Sequence, residues 1–309
     1  MTLSELRFVV ALAKEKNFRR AANKCFVSQP ALSLAIKKLE EELNVSLFER
    51  SRTEVTITEI GEKIVEQANI ILEQVEKIKL FAKSGGDPLD GLIKVGMIHS
   101  VGPYLLPQII PILRKIAPKM PLEVEENITA SLELQLKNGQ IDAAIVALPF
   151  NIPGIHVLPL YKEEFVVAVP NNHPWASRKN IHPKELSDEK VLLLNSGHCF
   201  SLQVVESCPD LSKKGEILQG NSLETIRNMV ASNLGITVLP KSATSDRYQN
   251  HLIKVIPFVK PIPARTIAIA YRKSFVRMNA IEKISEAIRL IKTDTIEMIK
   301  EALFIGNAS

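Results

Sequence analysis

Two cysteines and a histidine in the second half of the chain are the residues best suited to chemistry. They lie in Gly197-His198-Cys199-Phe200-Ser201-Leu202-Gln203, followed by Cys208. Cys199 follows an apolar strand pattern and a glycine, and it opens a helical pattern. The unpaired N–H groups and the dipole of a helix start favour a thiolate there. His198 beside it offers a proton acceptor or a positive charge. A thiolate so placed attacks peroxide and becomes a sulfenic acid, which a second thiol can trap as a disulfide. The nine-residue spacing makes such a trap conditional. Nine helical steps rise about 13 Å and end about half a turn away, whereas a disulfide needs Cα atoms within about 7 Å. The two sulfurs can join only if the intervening helix unwinds, which makes the segment a two-state element. Taken from spacing alone, two buried thiols packed as small apolar groups is the stronger reading. A metal site from His198, Cys199 and Cys208 is disfavoured, because adjacent residues rarely chelate one ion well; no metal and no cofactor is expected.

The thiols sit in a stretch, about 88–296, in which strand and helix patterns alternate. Strands are expected at Leu92–Met97, Leu122–Glu126, Asp142–Ala147, Phe165–Val169, Val191–Leu194, Ile236–Leu239 and Thr266–Tyr271. Helices are expected near Tyr104–Ile116, Leu132–Lys137, Phe200–Cys208 and Ser222–Ser232. Alternation of this kind argues for α/β sheets with crossover helices. The length suits two small lobes with a ligand cleft between them, placed at about 88–163 with 268–296 and at about 164–267, with 297–309 as a tail.

Ahead of the lobes, Thr58 begins a long helix, placed at 59–87. Ile60, Ile64, Ala68, Ile71, Val75, Ile78 and Ala82 step by threes and fours, a seam of about three heptads. Nothing near in sequence covers it, so a partner helix from a second copy is expected; docking on the chain's own domain is the alternative. Ser84-Gly85-Gly86-Asp87-Pro88 ends the helix as a linker.

The first 58 residues read as three short helices and a small hairpin. One helical pattern ends at Lys14-Glu15-Lys16-Asn17, and a second runs from Phe18 to Cys25. Ser28 caps a third, with Pro30 in its first turn, where a missing N–H is harmless. Leu32, Ala35, Ile36, Leu39 and Leu43 form its inner face. Leu47-Phe48 and Val55-Thr56-Ile57 flank a basic wing tip. This is a winged helix-turn-helix, whose later helix enters the major groove by its N-terminal residues. Gln29, Ser33 and Lys37 occupy that end, and Gln can pair with adenine. Arg19, Arg20 and Lys24, with Arg50 and Arg52 in the wing, suit phosphates. Met1–Ile57 holds ten Lys or Arg against seven Asp or Glu. Glu40, Glu41 and Glu42 lie at the far end of the reading helix, so the basic charge gathers where DNA would lie. Cys25 reads as a packed core residue.

Composition agrees without deciding. The 46% apolar fraction fills cores for two or three domains in 309 residues, and the net charge of +5 mildly favours an anionic partner. There is no secretory pattern at Met1-Thr2-Leu3-Ser4, no run long enough to span a membrane, and three cysteines do not make a disulfide scaffold. A cytoplasmic protein with no membrane partner is expected. No catalytic triad, metal-ligand cluster or Gly-rich phosphate loop supports an enzyme.

Several runs of the N-terminal segment resemble the LysR family signature. They are Arg19-Arg20-Ala21-Ala22, Val27-Ser28-Gln29-Pro30-Ala31-Leu32-Ser33, Leu39-Glu40, Leu47-Phe48-Glu49-Arg50 and Thr58-x-x-Gly61. The resemblance implies DNA contacts from Gln29, Pro30 and Ser33, a dimerising linker helix, and a two-lobed domain like type II periplasmic binding proteins. Further along, Gly-His-Cys with a thiol nine residues on, Ser222-Leu223-Glu224-Thr225, Gly235-Ile236-Thr237-Val238-Leu239-Pro240 and Val101-Gly102-Pro103-Tyr104 are similar to its OxyR, peroxide-sensing branch. That likeness implies Cys199 as the peroxide-reactive thiol and Cys208 as its resolving partner. It also implies a peroxide pocket from His198, Ser100, Thr129 and Arg265. Its partners would be promoter DNA, a homodimer or homotetramer, and RNA polymerase, and its output the activation of oxidative-stress genes. Ser201 and Leu202 depart from the arginine and aspartate usual in this branch. A slower peroxide reaction is therefore expected unless Arg265, which matches another arginine of this branch, compensates; the alternative reading of Arg265 is a surface cation. A metabolite between the lobes is the alternative signal.

Overall fold

The structure, a computed structural model, describes residues 1–50, 55–83, 89–208, 210–211 and 217–299. Arg52 of the expected wing tip, the linker at 84–88 and the tail beyond 299 lie outside the described residues, as do the side chains of Arg50 and Ala82. Two compact units emerge: Met1–Pro88 with two short later pieces, and the remainder of the chain.

The first unit contains α1 (Leu3–Glu15), α2 (Phe18–Lys24), α3 (Gln29–Leu43), the antiparallel pair β1 (Phe48–Arg50) and β2 (Val55–Ile57), and α4 (Glu59–Lys83). Side-chain oxygens start each of the first three helices. Thr2 and Glu5 form a reciprocal capping box, Asn17 accepts from the Arg20 N–H, and Ser28 accepts from the Ala31 N–H. Val9, Leu12, Ala21, Ala22, Leu32, Ile36 and Leu39 are buried together with Leu47 and Phe48 of the wing.

Three motif residues gain a physical reason here. The Glu40 carboxylate accepts the Leu47 and Phe48 N–H groups at 2.8 and 3.2 Å, tying the wing to the end of α3. The Thr58 hydroxyl donates to the Ser46 carbonyl at 2.8 Å and accepts the Gly61 N–H at 3.0 Å. Gly61 sits so close to the wing that an added Cβ would lie 2.2 Å from the Leu47 carbonyl oxygen. In α4, Val65 and Ala68 are buried, whereas Ile60, Ile71 and Ile78 are exposed. The helix therefore uses part of its apolar surface inside its own unit and leaves a stripe uncovered.

The second unit is a sheet with path β4-β3-β5-β11-β6-β9-β7-β8. In chain order its elements are β3 (Ile93–Ile98), α5 (Gly102–Ile116), β4 (Leu122–Asn127), α6 (Thr129–Lys137), β5 (Ala143–Ala147) and β6 (Ile155–Pro170). Then come β7 (Val191–Leu194), α7 (Cys199–Ser207), β8 (Ile217–Gly220), α8 (Leu223–Ala231), β9 (Ile236–Pro240), β10 (Ile253–Pro257), β11 (Ala264–Arg272), α9 (Met278–Arg289) and β12 (Glu297–Met298). β3 runs parallel to β4 and β5, and β7 parallel to β8 and β9, so each half has the expected crossover helices.

β6 joins the halves. Its first part pairs with β11 and β12, and its last part with β9 and β10. The sequence reading caught only Phe165–Val169 of this strand, because Pro159 and the charged run Lys162-Glu163-Glu164 interrupt the apolar pattern. The ladder absorbs the interruption: its register shifts between Ile267 and Ala268, beside Pro159. β8, β10, β12 and α9 are likewise additions to the expected elements.

Candidate functional site

The DNA-facing candidates lie on α2 and α3. Gln29, Pro30 and Lys37 are exposed, and Ser33 is half-buried on the flank of the helix rather than at its outward pole. Arg19 and Arg20 are exposed at the start of α2. Arg20 donates to the Glu15 carbonyl at 2.6 Å, and Lys24 pairs with the Glu15 carboxylate at 2.7 Å. Hydrogen bonding from Lys24 holds that carboxyl below its ordinary range, the largest cause of the shift. Cys25 caps α2 and packs half-buried against the domain core, as expected, with burial raising its thiol pKa.

The thiols occupy opposite ends of α7. Cys199 is its first residue and half-exposed; Cys208 is its C-cap, fully buried, and donates its N–H to the carbonyls of Val204 and Val205 at 2.9 and 3.2 Å. Both are free thiols on an intact helix. Burial pushes the Cys208 thiol up to about 12. Ser201, the first departure from the branch pattern, is buried and donates to the Leu194 carbonyl at 2.5 Å, fixing the helix start to the end of β7; Leu202 is exposed.

Side chains from several elements converge on the start of α7. The His198 ring meets His99, at the end of β3, edge-on at 5.2 Å. Burial first, and His99 second, lower the His198 pKa. The imidazole is thus a neutral proton acceptor, and of the two roles expected for it, positive charge is the one disfavoured. Gly197 packs near Ile128, which carries the chain into Thr129. The Thr129 hydroxyl and His99 Nδ1 are buried polar atoms without hydrogen-bond partners.

Arg265 is not a surface cation. It is buried, donates to the Ser100 hydroxyl at 2.7 Å and the Ser100 carbonyl at 2.9 Å, and pairs with Glu163 at 2.8 Å. Its guanidinium carbon lies 4.9 Å from the Phe200 ring centre, beside Cys199 in sequence. It enters the site as half of an ion pair, with its charge matched by Glu163. Glu163 was not singled out from the sequence, because it lies in the charged run Lys162-Glu163-Glu164; the available signal was that run's position directly before the apolar stretch Phe165–Val169.

A cavity of about 460 Å³ is lined by Leu148, Gln203, Glu206, Arg265 and Thr266 among others, and so shares Arg265 with this region. Gln203 of α7 donates across it to the Leu148 carbonyl at 3.0 Å. Among the described residues no group of three or more His, Cys, Asp or Glu could hold a metal ion, and no helix is long and apolar enough to cross a membrane.

A winged helix-turn-helix joined in one chain to a two-part α/β domain defines a DNA-binding transcription regulator with its own regulatory domain. Residues 3–62 match the family described as "Bacterial regulatory helix-turn-helix protein, lysR family", and residues 86–290 match "LysR substrate binding domain". The chain belongs to the LysR family, in its OxyR branch. It is 39% identical over 290 residues to the "DNA-binding transcriptional dual regulator OxyR" of Escherichia coli K12, covering 94% of this chain and 95% of that one. It is 37% identical to the "Hydrogen peroxide-inducible genes activator" of Haemophilus influenzae, covering 98% of this chain and all of its relative. Full-length OxyR C199D from Pseudomonas aeruginosa superposes with a TM-score of 0.83 at 46% identity, covering 97% of this chain and 98% of the other.

Proposed function

We propose that this chain is a sequence-specific DNA-binding regulator that hydrogen peroxide switches through a reversible Cys199–Cys208 disulfide. The observation that carries the reading is the start of α7. There a half-exposed thiol follows a histidine whose pKa is lowered by burial and whose ring meets His99, and the His99 Nδ1 and the Thr129 hydroxyl are both buried without hydrogen-bond partners. His198, Ser100, Thr129 and Arg265 are assigned to the peroxide pocket, with Ser100 acting through Arg265. In the first step Cys199 Sγ bonds to one peroxide oxygen, the O–O bond breaks, and the thiol proton leaves with the other oxygen as water. In the second, Cys208 Sγ displaces the sulfenic oxygen as a second water, and the two thiols have reduced one peroxide. The intact helix holds the sulfurs apart, so the second step requires α7 to unravel. That refolding is the signal.

The DNA-binding residues are assigned as Arg19, Arg20, Gln29, Pro30, Ser33, Lys37, Arg50 and Arg52. Residues 1–58 form the DNA-reading domain, 59–87 the dimerising helix and 88–296 the regulatory lobes. The exposed Ile60, Ile71 and Ile78 stripe supports pairing with a second copy, and we extend this to a homotetramer that engages RNA polymerase and activates oxidative-stress genes. The setting is the cytoplasm, where thiols are kept reduced, and the chain acts as a regulator rather than an enzyme.

Mass mapping of thiols after brief, dilute peroxide tests the reading. Rapid Cys199–Cys208 linkage, lost in Cys199→Ser together with the transcriptional response, is the expected result. Persistent free thiols at both positions would overturn it. A Cys199→Ser chain that still switched would point to a metabolite instead.

A further inference from the structure

We propose that Leu34 reads the 5-methyl group of thymine in the major groove, and so sets part of this chain's DNA specificity. The inference rests on the DNA-reading assignment above. In α3 the buried residues are Leu32, Ile36 and Leu39. At about 100° per residue, Leu34 falls almost opposite their mean direction. It is 70% exposed. Its neighbours one turn away, Pro30 before it and Lys37 and Lys38 after it, are exposed too. The outward pole of the helix's first half is therefore apolar at its centre and basic toward its middle, with Gln29 and Ser33 to one side.

The chemistry of that pole selects its occupant. A leucine offers no hydrogen bond, and placed against the donors and acceptors of most base edges it would leave them unpaired. The thymine methyl is the one apolar group that a base presents in the major groove. Lys37 and Lys38 supply charge for phosphates at the same time. A second copy of the chain is a poorer occupant, because pairing through this pole would bury Lys38 and the Lys37–Glu41 ion pair (3.6 Å) against copies of themselves.

The test uses the full-length chain and duplexes that it selects from a randomised pool. Each thymine in the selected site is then replaced singly by deoxyuridine, which removes only the 5-methyl group. Wild-type chain should lose about fourfold in affinity at one or more thymines, the worth of a single buried methyl. Leu34→Ala should bind the thymine duplex about fourfold more weakly and respond no further to that replacement. Leu34→Met, which keeps an apolar tip, should still discriminate. Equal thymine-to-uracil ratios in wild type and Leu34→Ala at every position would overturn the proposal, as would a change of oligomeric state in Leu34→Ala with discrimination intact. Failure of wild type to select any sequence would instead overturn the DNA-reading assignment itself.

Discussion

Arg265 stands directly opposite Glu163 across the β11–β6 ladder, joined to it at 2.8 Å with side chains 1% and 0% exposed. The pair sits where β6 passes from one half of the sheet to the other. Glu163 also accepts the Ser242 N–H at 3.2 Å, and Arg265 also holds Ser100. Elements from both halves of the sheet are thus tied to one ion pair, which packs against Phe200 at the start of the thiol-bearing helix.

Breaking that pair by removing one partner leaves an uncompensated buried charge. Glu163→Gln is expected to lower unfolding stability by about 3–5 kcal/mol. A double change, Glu163→Gln with Arg265→Met, should lose less than the sum of its parts, because no charge is stranded. Urea unfolding of the four chains measures this. Strict additivity would show that the pair is solvated and contributes little.

Gly61 makes a tight backbone approach in the first unit. Gly61→Ala places a Cβ against the Leu47 carbonyl oxygen, which belongs to backbone and cannot swing away. A destabilisation of about 1–3 kcal/mol is expected. Thr58→Val, which removes the hydroxyl from the same junction, should lower stability without the clash, by about 1 kcal/mol. Thermal unfolding and DNA binding of both variants read the wing's attachment. Wild-type behaviour in Gly61→Ala would mean that the junction is looser than its geometry.

Burial gives the Cys208 thiol a pH signature. Its proton is held up to about 12 in the folded chain, whereas an unfolded cysteine releases it near 9.0. Between those values the unfolded state binds fewer protons, so stability falls as pH rises. Below about 9 the thiol is neutral in both states and contributes no slope. Cys208→Ala should flatten this part of the alkaline stability profile. At neutral pH, iodoacetamide should label half-exposed Cys199 well before Cys208. Equal labelling rates would show that α7 opens freely in the reduced chain.

Local patterns made much of this molecule legible. Caps, small residues and turn spacing lie within a few positions of one another, so Ser28 and Pro30 announced their helix directly, whereas the Thr2 and Asn17 caps emerged only in the structure. The thiol pair was legible for the same reason, since one short helix carries both. Arg265 could be named but not placed, because its partner Glu163 is 102 positions away and its other partner Ser100 is 165 away. A charged run such as Lys162-Glu163-Glu164 reads as solvent-facing until that partner is known. Leu34 carried no signal of its own: it falls off the inner face that Leu32, Ile36 and Leu39 define, and single exposed apolar residues are common on protein surfaces. The short strands β8, β10 and β12 are held by neighbours distant in sequence and carry little pattern of their own.

Gln29 and Arg19 separate reading a base from holding the backbone. Both are exposed, Gln29 as the first residue of α3 and Arg19 near the start of α2. Gln29→Ala should reduce discrimination between selected and random duplexes by about 1–3 kcal/mol, the range for a lost bidentate base contact. Arg19→Ala should weaken binding to both duplexes alike, and should lower the slope of log affinity against log salt by about 0.9, one phosphate contact's share. Titrations of both variants against both duplexes at several salt concentrations distinguish the roles. If Gln29→Ala lost the same factor on random as on selected DNA, the glutamine would be another backbone contact, and the reading of bases would fall to the rest of the exposed α3 pole.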